Sequence, residues 1–535
     1  MFTEGLKIGL ALTVDGTAYK IRGGQVKNLS IDLHVFGYEA DLDFWVSCDD
    51  RTDVLYEFFT TPSLIQVGLT LASADEPEED APDALTLTGF VTGKRLFEET
   101  YEKVGSKVLY RRYWLRFADP AQVFWHQHFP CELYTDSNMK AVFEAQKGEK
   151  ISITYDMPAL ETNHPVIFLG LGTPGNETSF YDFLMWYTAS QNAVWTYNSY
   201  TNSYTLSQEK EAVGDAGALD TRDVDGPEIV FPETPRFNLK VVNALARDSE
   251  AKDVTQDQAV TGIRRDVLLR TPVKAHFDDR CAIEEAGLVL PEHELKLVFR
   301  RFPTITFRPG SYVAFAEEAW SSELYYKSST YRVGECSLQL SAVDQEHTKD
   351  LDAEVSEYDI DMTATLEVAT DKIVSRPAYV TPYYPGLVEG LIVSEEGDEA
   401  EETYQFYEDS DSQLDQYKVK IPLWDDQTVI VRYNPNMFPG HFYFPYVKDA
   451  RVLVALEFQS AWIKRVLEWR PNAQLPMDGQ GNHILFGKTD KDQTSLTHFY
   501  EDQKPVLSLK RLLDKDTELI RLEEGTLILQ TKEEE

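Results

Sequence analysis

Residues 384–467 restrict the possible folds more than any other part of the sequence. They open with Tyr384-Pro385-Gly386-Leu387-Val388-Glu389-Gly390 and cross an acidic stretch to Tyr417-Lys418-Val419-Lys420-Ile421-Pro422. They close with Phe442-Tyr443-Phe444-Pro445-Tyr446-Val447-Lys448-Asp449-Ala450-Arg451-Val452-Leu453-Val454-Ala455-Leu456-Glu457-Phe458. Short runs of β-forming residues, broken by Pro, Gly and Asp turn signals, predict a small five-stranded barrel with one long loop after its first strand.

The chain has 535 residues, 42% of them hydrophobic, enough for several buried cores. Aromatic residues fall in short alternating runs and long helical periodicities are few, so the expected class is mainly β with a few helices. The formal net charge of −39 repels phosphate backbones and anionic lipid surfaces, which argues against a nucleic-acid partner. No apolar run approaches the ~18 residues needed to span a bilayer. The start Met1-Phe2-Thr3-Glu4 lacks a signal-type pattern, so cytoplasmic synthesis and folding are expected. Cys48, Cys131, Cys281 and Cys336 are far apart, which suggests buried thiols rather than a disulfide framework or a zinc site.

Five segments separate along the chain. Residues 1–210 alternate β-like runs with two expected helices. One begins near Thr135-Asp136-Ser137 and stops at Gly148; the other begins near Thr178-Ser179, with Phe180, Phe183, Leu184 and Tyr187 on one face. A hairpin, 193–206, follows. Residues 211–235 are rich in Gly, Asp, Glu and Pro and read as a linker. A second β-rich block covers 236–380, the barrel domain 381–470, and a tail of short strands 471–535. Two acidic stretches, 75–83 and 394–416, are expected to be solvated surface loops; neither has the spacing of a calcium loop.

Several motifs invite a chemical reading and fail it. Gly170-Leu171-Gly172-Thr173-Pro174-Gly175 has the literal dinucleotide spacing, but a hairpin follows where a parallel strand should, and no ribose-binding acid is placed. Gly487-Lys488-Thr489 is offset by one residue from Gly481 for a phosphate-binding loop. His126-Gln127-His128 would put two imidazoles on one face of a strand, but no third ligand stands at a telling spacing. No nucleophile or metal-protease signature occurs, and no glycosidase-like carboxylate pair can be singled out among 90 acids. The expectation is therefore no enzyme, no cofactor and no metal.

The order of motifs in 384–467, with Tyr384, Pro385, Gly386, Val388 and Gly390, then Val419 and Ile421, then Phe444, Pro445, Val447, Asp449, Val452, Val454 and Phe458, resembles the oligonucleotide/oligosaccharide-binding-type (OB-fold) domain of VgrG spike proteins. Upstream, Tyr113-Trp114-Leu115-Arg116-Phe117, Cys131-Glu132-Leu133-Tyr134-Thr135-Asp136 and 179–187 with Trp195-Thr196-Tyr197 are similar to the VgrG hub module. Here the usual "ES(D/N)F" start is altered and the "EEEG" end is missing. Downstream, Asn472-Ala473-Gln474-Leu475-Pro476 and Asn482-His483-Ile484-Leu485-Phe486 resemble the neck of the spike. The divergence and the short tail resemble phage-tail-like particles more than type VI secretion proteins.

The resemblance implies tandem hub β-barrels (1–210 and 236–380), an OB-fold barrel and a C-terminal intertwined trimeric β-prism or β-helix. It further implies a homotrimer that adapts a threefold spike to a sixfold inner tube, contacts inner-tube and baseplate proteins, carries a PAAR-like tip protein at its C-terminus, and meets the target membrane transiently as part of a released particle. Leu507, Leu509, Leu519, Leu527 and Leu529 would then lie in the trimeric spike strands, whose apolar residues exceed what a lone segment could bury. Leu467-Glu468-Trp469-Arg470 runs directly into the neck, leaving no room for an inserted lysozyme. The competing function class is a polysaccharide-binding or carbohydrate-active multidomain β protein.

Overall fold

The computed structural model describes all residues except 49–52, 75–83, 104–105, 245–249, 399–400, 402, 411–414, 433–444, 469–480, 490–491 and 534–535. Acidic loop 75–83, Phe444 and the neck motif 472–476 thus lie outside the described residues. The chain forms two compact units. One comprises Met1–Cys131, Asn138–Thr162 and Leu171–Tyr383; the other comprises Glu132–Ser137, Asn163–Gly170 and Tyr384–Glu535.

The first unit is built on one large sheet. Eight of its strands close a ring of pairings in the order Phe2–Val14, Ile65–Ser73, Leu85–Lys103, Ser106–Ala118, Gly37–Ser47, Val26–His34, Tyr331–Ala342 and Val355–Val368, with the last pairing back to the first. Strict alternation drives this closure. In Phe2–Val14 the side chains of Leu6, Ile8, Leu10, Leu12 and Val14 point inward and are buried, as are Leu29, Ile31, Leu33, Val67, Leu69, Leu71, Leu115, Phe117, Leu338 and Ile360 from the other strands. Burying each such side chain stabilises the fold by roughly 1.5–3 kcal/mol.

Tyr331–Ala342 and Val355–Val368 also extend past the barrel, where they pair with Tyr312–Phe315 and Glu294–Val298. The segments 1–210 and 236–380 therefore share one sheet, and the two tandem parts are joined through their longest strands. The expected linker also contributes to this sheet. Ala216–Leu219 pairs parallel to Tyr312–Phe315 and Glu228–Val230 pairs antiparallel to Glu294–Val298. The segment read as a linker from its Gly, Asp, Glu and Pro content and its few apolar residues; its partner strands lie 64 to 96 positions further along the chain.

Both expected helices form. Met139–Gln146 is capped by the Asn138 side chain, which accepts from Ala141 N, and Gly148 follows at φ +77°. Phe180–Ser190 starts with a capping box between Ser179 and Asp182. Its expected face is buried, but so are Tyr181, Asp182 and Met185, so the helix is enclosed on almost all sides. The chain 376–380 helps to enclose it. Val380 N donates to Asp182 Oδ1 at 3.1 Å, and Arg376 Nη2 donates to Ala193 O at 2.6 Å just beyond the helix C-terminus.

His126-Gln127-His128 does not form a strand. Asp119 caps a short helix, Pro120–Trp125, by accepting from Gln122 N with Pro120 in the first turn, and helical turns carry through His128. His126 packs on the Tyr181 ring at 4.5 Å between centroids and His128 Nε2 bonds Gln146 Oε1 at 2.8 Å. The two rings have separate packing roles.

A further element was not foreseen. Residues 231–293 leave the large sheet after Glu228–Val230 and return at Glu294–Val298, two adjacent paired strands. Between them lies a small layered module with its own sheet, Glu250–Val254, Asn238–Asn243 and Arg264–Leu269, and a covering helix, Lys274–Gly287. Leu239, Val241, Val254, Phe277 and Cys281 form its core.

In the second unit, five strands close a barrel: Gly386–Val393, Arg451–Leu456, Ala461–Glu468, Gln427–Arg432 and Asp415–Ile421, the last pairing back to the first. Downstream, Asn482–Thr489, Asp492–Glu501, Lys504–Leu513, Asp516–Glu523 and Thr526–Lys532 form a five-stranded antiparallel meander in chain order.

Candidate assembly interface

The barrel residues singled out in the sequence come together as its core and its anchor. Val419, Ile421, Val447, Val452 and Val454 are fully buried inside. Gly390 is required by space: a β-carbon there would sit 2.4 Å from Val419 Cγ1 and 3.0 Å from Ile421 Cδ1. Gly386 pairs with Leu456 and half-buried Val388 with Val454. Asp449 adopts φ +64° in the turn before Arg451–Leu456, where its N–H donates to Ile392 O at 2.9 Å. Tyr384 anchors a second segment: its hydroxyl donates to Phe168 O and Leu169 O at 3.1 and 2.9 Å, and Phe168 N donates to Phe458 O. Pro385 and Pro445 flank these elements outside the strands. All of these roles are structural.

The acidic stretch 394–416 is less free than its composition implies. Gln405 Oε1 accepts from Glu395 N, Ser394 Oγ and Tyr407 Oη, Lys418 pairs with Glu395, and Tyr407–Glu408 pairs with Asp415 and Gln416. Gln405 thus ties this end of the loop to its own backbone and side chains.

The most unusual surface is on the C-terminal meander. Two-residue turns at Asp502-Gln503, Asp514-Lys515 and Glu524-Gly525 fix its register, with positive φ at both positions of the first and third, as tight hairpins need. That register aligns Ile484, Leu496, Leu509, Ile520 and Leu529 as one ladder across all five strands. Leu507, Leu522 and Leu527 form a second ladder beside it. From Leu507 to Leu529, the large apolar residues of this face are 39% to 69% exposed. An apolar face of this extent on one sheet marks an interaction surface.

The opposite face is more covered, with Leu512 and Ile528 half-buried on it. Ser508 and Val506 are buried, and Arg521 pairs with Glu501 and Glu523 while lying over the Phe499 ring at 5.6 Å. Leu519 belongs to this face, half-buried, so of the five leucines singled out only Leu507, Leu509, Leu527 and Leu529 share the open one. Ile484, Phe486, Leu496, Leu513, Ile520 and Leu522 also lie on it and were not singled out. The two-residue turns were the signal that could have found them, since the turn length decides which residues face each other.

Elsewhere, the glycine motif at 170–175 is a turn: Gly170 and Gly175 have φ +57° and +83°, and the hairpin Val194–Asn198 with Ser203–Ser207 follows its helix. Among the described residues, no group of three or more His, Cys, Asp or Glu side chains could hold a metal ion, and no helix is long and apolar enough to cross a membrane.

No family model matches the sequence, and no curated protein sequence matches it. The fold does match solved structures. A chain of the lidded Francisella PdpA-VgrG complex is 13% identical with a TM-score of 0.72, over 99% of this chain and 80% of that one. For the lidless PdpA-VgrG complex the values are 13%, 0.72, 100% and 99%, and for the half-lidded Francisella complex 12%, 0.72, 99% and 88%. Across its whole length, this chain has the fold of a chain of the PdpA-VgrG complex.

Proposed function

We propose that this chain is a structural hub-and-spike subunit of a contractile injection particle. Three copies assemble around an axis, and their meanders cover one another's open faces to form the spike. The two parts of the large sheet act as the hub that fits the threefold spike to a sixfold inner tube beside baseplate proteins. A PAAR-like tip protein closes the C-terminal end, and the assembly punctures the target envelope mechanically, with no catalytic step. The reading is supported by the shared fold, by the closed barrel with its VgrG-like motif order and, above all, by the apolar ladder that spans five strands.

That ladder carries the proposal because its cost has a direct remedy. Each exposed leucine or isoleucine is already about half covered, so burial against a neighbouring copy stabilises the assembly by roughly 1 kcal/mol per side chain. The test is the mass of the purified chain by light scattering. A trimer of about 183 kDa, three times 61.1 kDa, that becomes monomeric when 471–535 is deleted supports the proposal. A stable monomer, above all one that binds polysaccharide, overturns it.

A further inference from the structure

We infer that the inserted module at 231–293 is a docking site for an extended acidic segment of another protein, which adds as a strand to the free edge of Arg264–Leu269. This inference is independent of the spike reading and holds whatever the oligomeric state.

The module is separate in topology. It leaves and re-enters the large sheet at neighbouring strands, closes its own core, and shares no sheet with the rest of the chain among the described residues. Its sheet order puts Asn238–Asn243 in the centre, so Arg264–Leu269 lies at an edge. The parallel register between these two strands starts at Asn238 opposite Arg264. Asn238 N donates to Ile263 O and Ala244 N to Leu269 O. A parallel ladder uses every second residue, so 263, 265, 267 and 269 face the central strand. The main-chain groups of Arg264, Asp266 and Leu268 therefore point outward, and among the described residues no backbone hydrogen bond reaches them.

The side chains at this edge state what would fit. Val267 and Leu269 pack under the helix, so Arg264, Asp266 and Leu268 stand on the uncovered face of the sheet. Leu268 is 74% exposed and lies opposite half-buried Val242. Arg264, Arg265 and Arg270 make the edge basic, offset only by Asp266, which pairs with Arg264 at 3.0 Å. The module carries nine basic and eleven acidic residues, so only −2 of the chain's −39 falls here. The opposite edge, Glu250–Val254, lacks this character: Lys252 pairs with Glu285 and Glu250 lies near Lys274. Unpaired main-chain groups give affinity for an added strand, Leu268 with Val242 selects an apolar residue, and the arginines select acids beside it.

The test uses the full chain and fluorescence anisotropy with a fluorescein-labelled peptide of repeating glutamate-serine-valine-serine, which sets glutamate and valine on one face of a strand, and its twin with lysine in place of glutamate as control. Saturable binding of the acidic peptide alone is expected, with slowed amide exchange at Arg264, Asp266 and Leu268. Leu268→Pro removes one outward N–H and leaves the inward ladder intact, so it should weaken binding about tenfold or more. The double change Arg264→Glu with Arg270→Glu should do the same with the backbone unaltered, and it decides the matter should the proline variant unfold the module. No binding of the acidic peptide, equal binding of its basic twin, amide protection elsewhere, or undiminished binding in either folded variant would overturn the inference.

Discussion

Asp119 shows how much of the first unit depends on single side chains. It is fully buried, accepts from Tyr38 N, Gln122 N, Gln122 Nε2 and the Tyr204 hydroxyl, and caps Pro120–Trp125. Asp119→Ala strands several of these donors and is expected to cost about 3 kcal/mol or more, read from the urea midpoint. Burial pushes its carboxyl above the ordinary value of 3.8, against the pull of those donors. A carboxyl raised in this way holds its proton more tightly in the folded chain, so its contribution favours folding below 3.8 and is lost as pH rises through the folded value. The stability deficit of Asp119→Asn, which does not titrate, should accordingly shrink as pH is raised from about 4 to 7. Burial likewise pushes the Cys336 thiol up to about 12. Iodoacetamide at mildly alkaline pH should leave Cys336 unlabelled in the native chain and label it in denaturant; mass spectrometry distinguishes the two. Gly390→Ala, which drives a methyl into Val419 and Ile421, should cost roughly 1–3 kcal/mol of barrel stability by the same denaturant measurement.

Among the elements, those legible in the sequence are the ones stabilised by near neighbours. Ser179 with Asp182 announces its helix because the cap acts within three residues; the other helix was legible as well, though its start lies later than read, with residues 135–137 in the strand Leu133–Asn138 and Asn138 as the cap. The barrel was legible because alternation and turn residues recur in a fixed order. Pairings distant in the chain were not: Ala216–Leu219 and Glu228–Val230 are too short to read without Tyr312–Phe315 and Glu294–Val298. The helix Lys274–Gly287 escaped because its apolar face is sparse, with Phe277 and Cys281 as its buried residues. His126 and His128 misled because alternation is ambiguous over three residues, whereas Asp119-Pro120 was the stronger helix-start signal. In the meander, composition indicated too much apolar surface but could not assign faces. That assignment now gives a sharp test. Ile520→Asp or Leu529→Asp, on the open ladder, should abolish self-association in sedimentation while the rest of the chain stays folded. A control, Leu519→Lys on the reverse face, should leave association largely intact.

At the scale of the whole molecule, charge and association oppose each other. Three copies bring a formal charge of −117, three times −39. Repulsion of that kind reaches about 30 Å at 0.01 M ionic strength and about 8 Å at 0.15 M. The proposed trimer should dissociate more readily as salt is lowered, which sedimentation at fixed protein concentration will reveal; tighter assembly at low salt would instead mean that opposite charges meet across the contact. The module at 231–293 has a consequence of another kind. Its two ends enter the large sheet side by side, with Ile229 opposite Leu295, so the parent strands already stand a hairpin's width apart. Any folded unit with closely spaced termini can be spliced in there, which makes this junction a natural attachment point for an added domain.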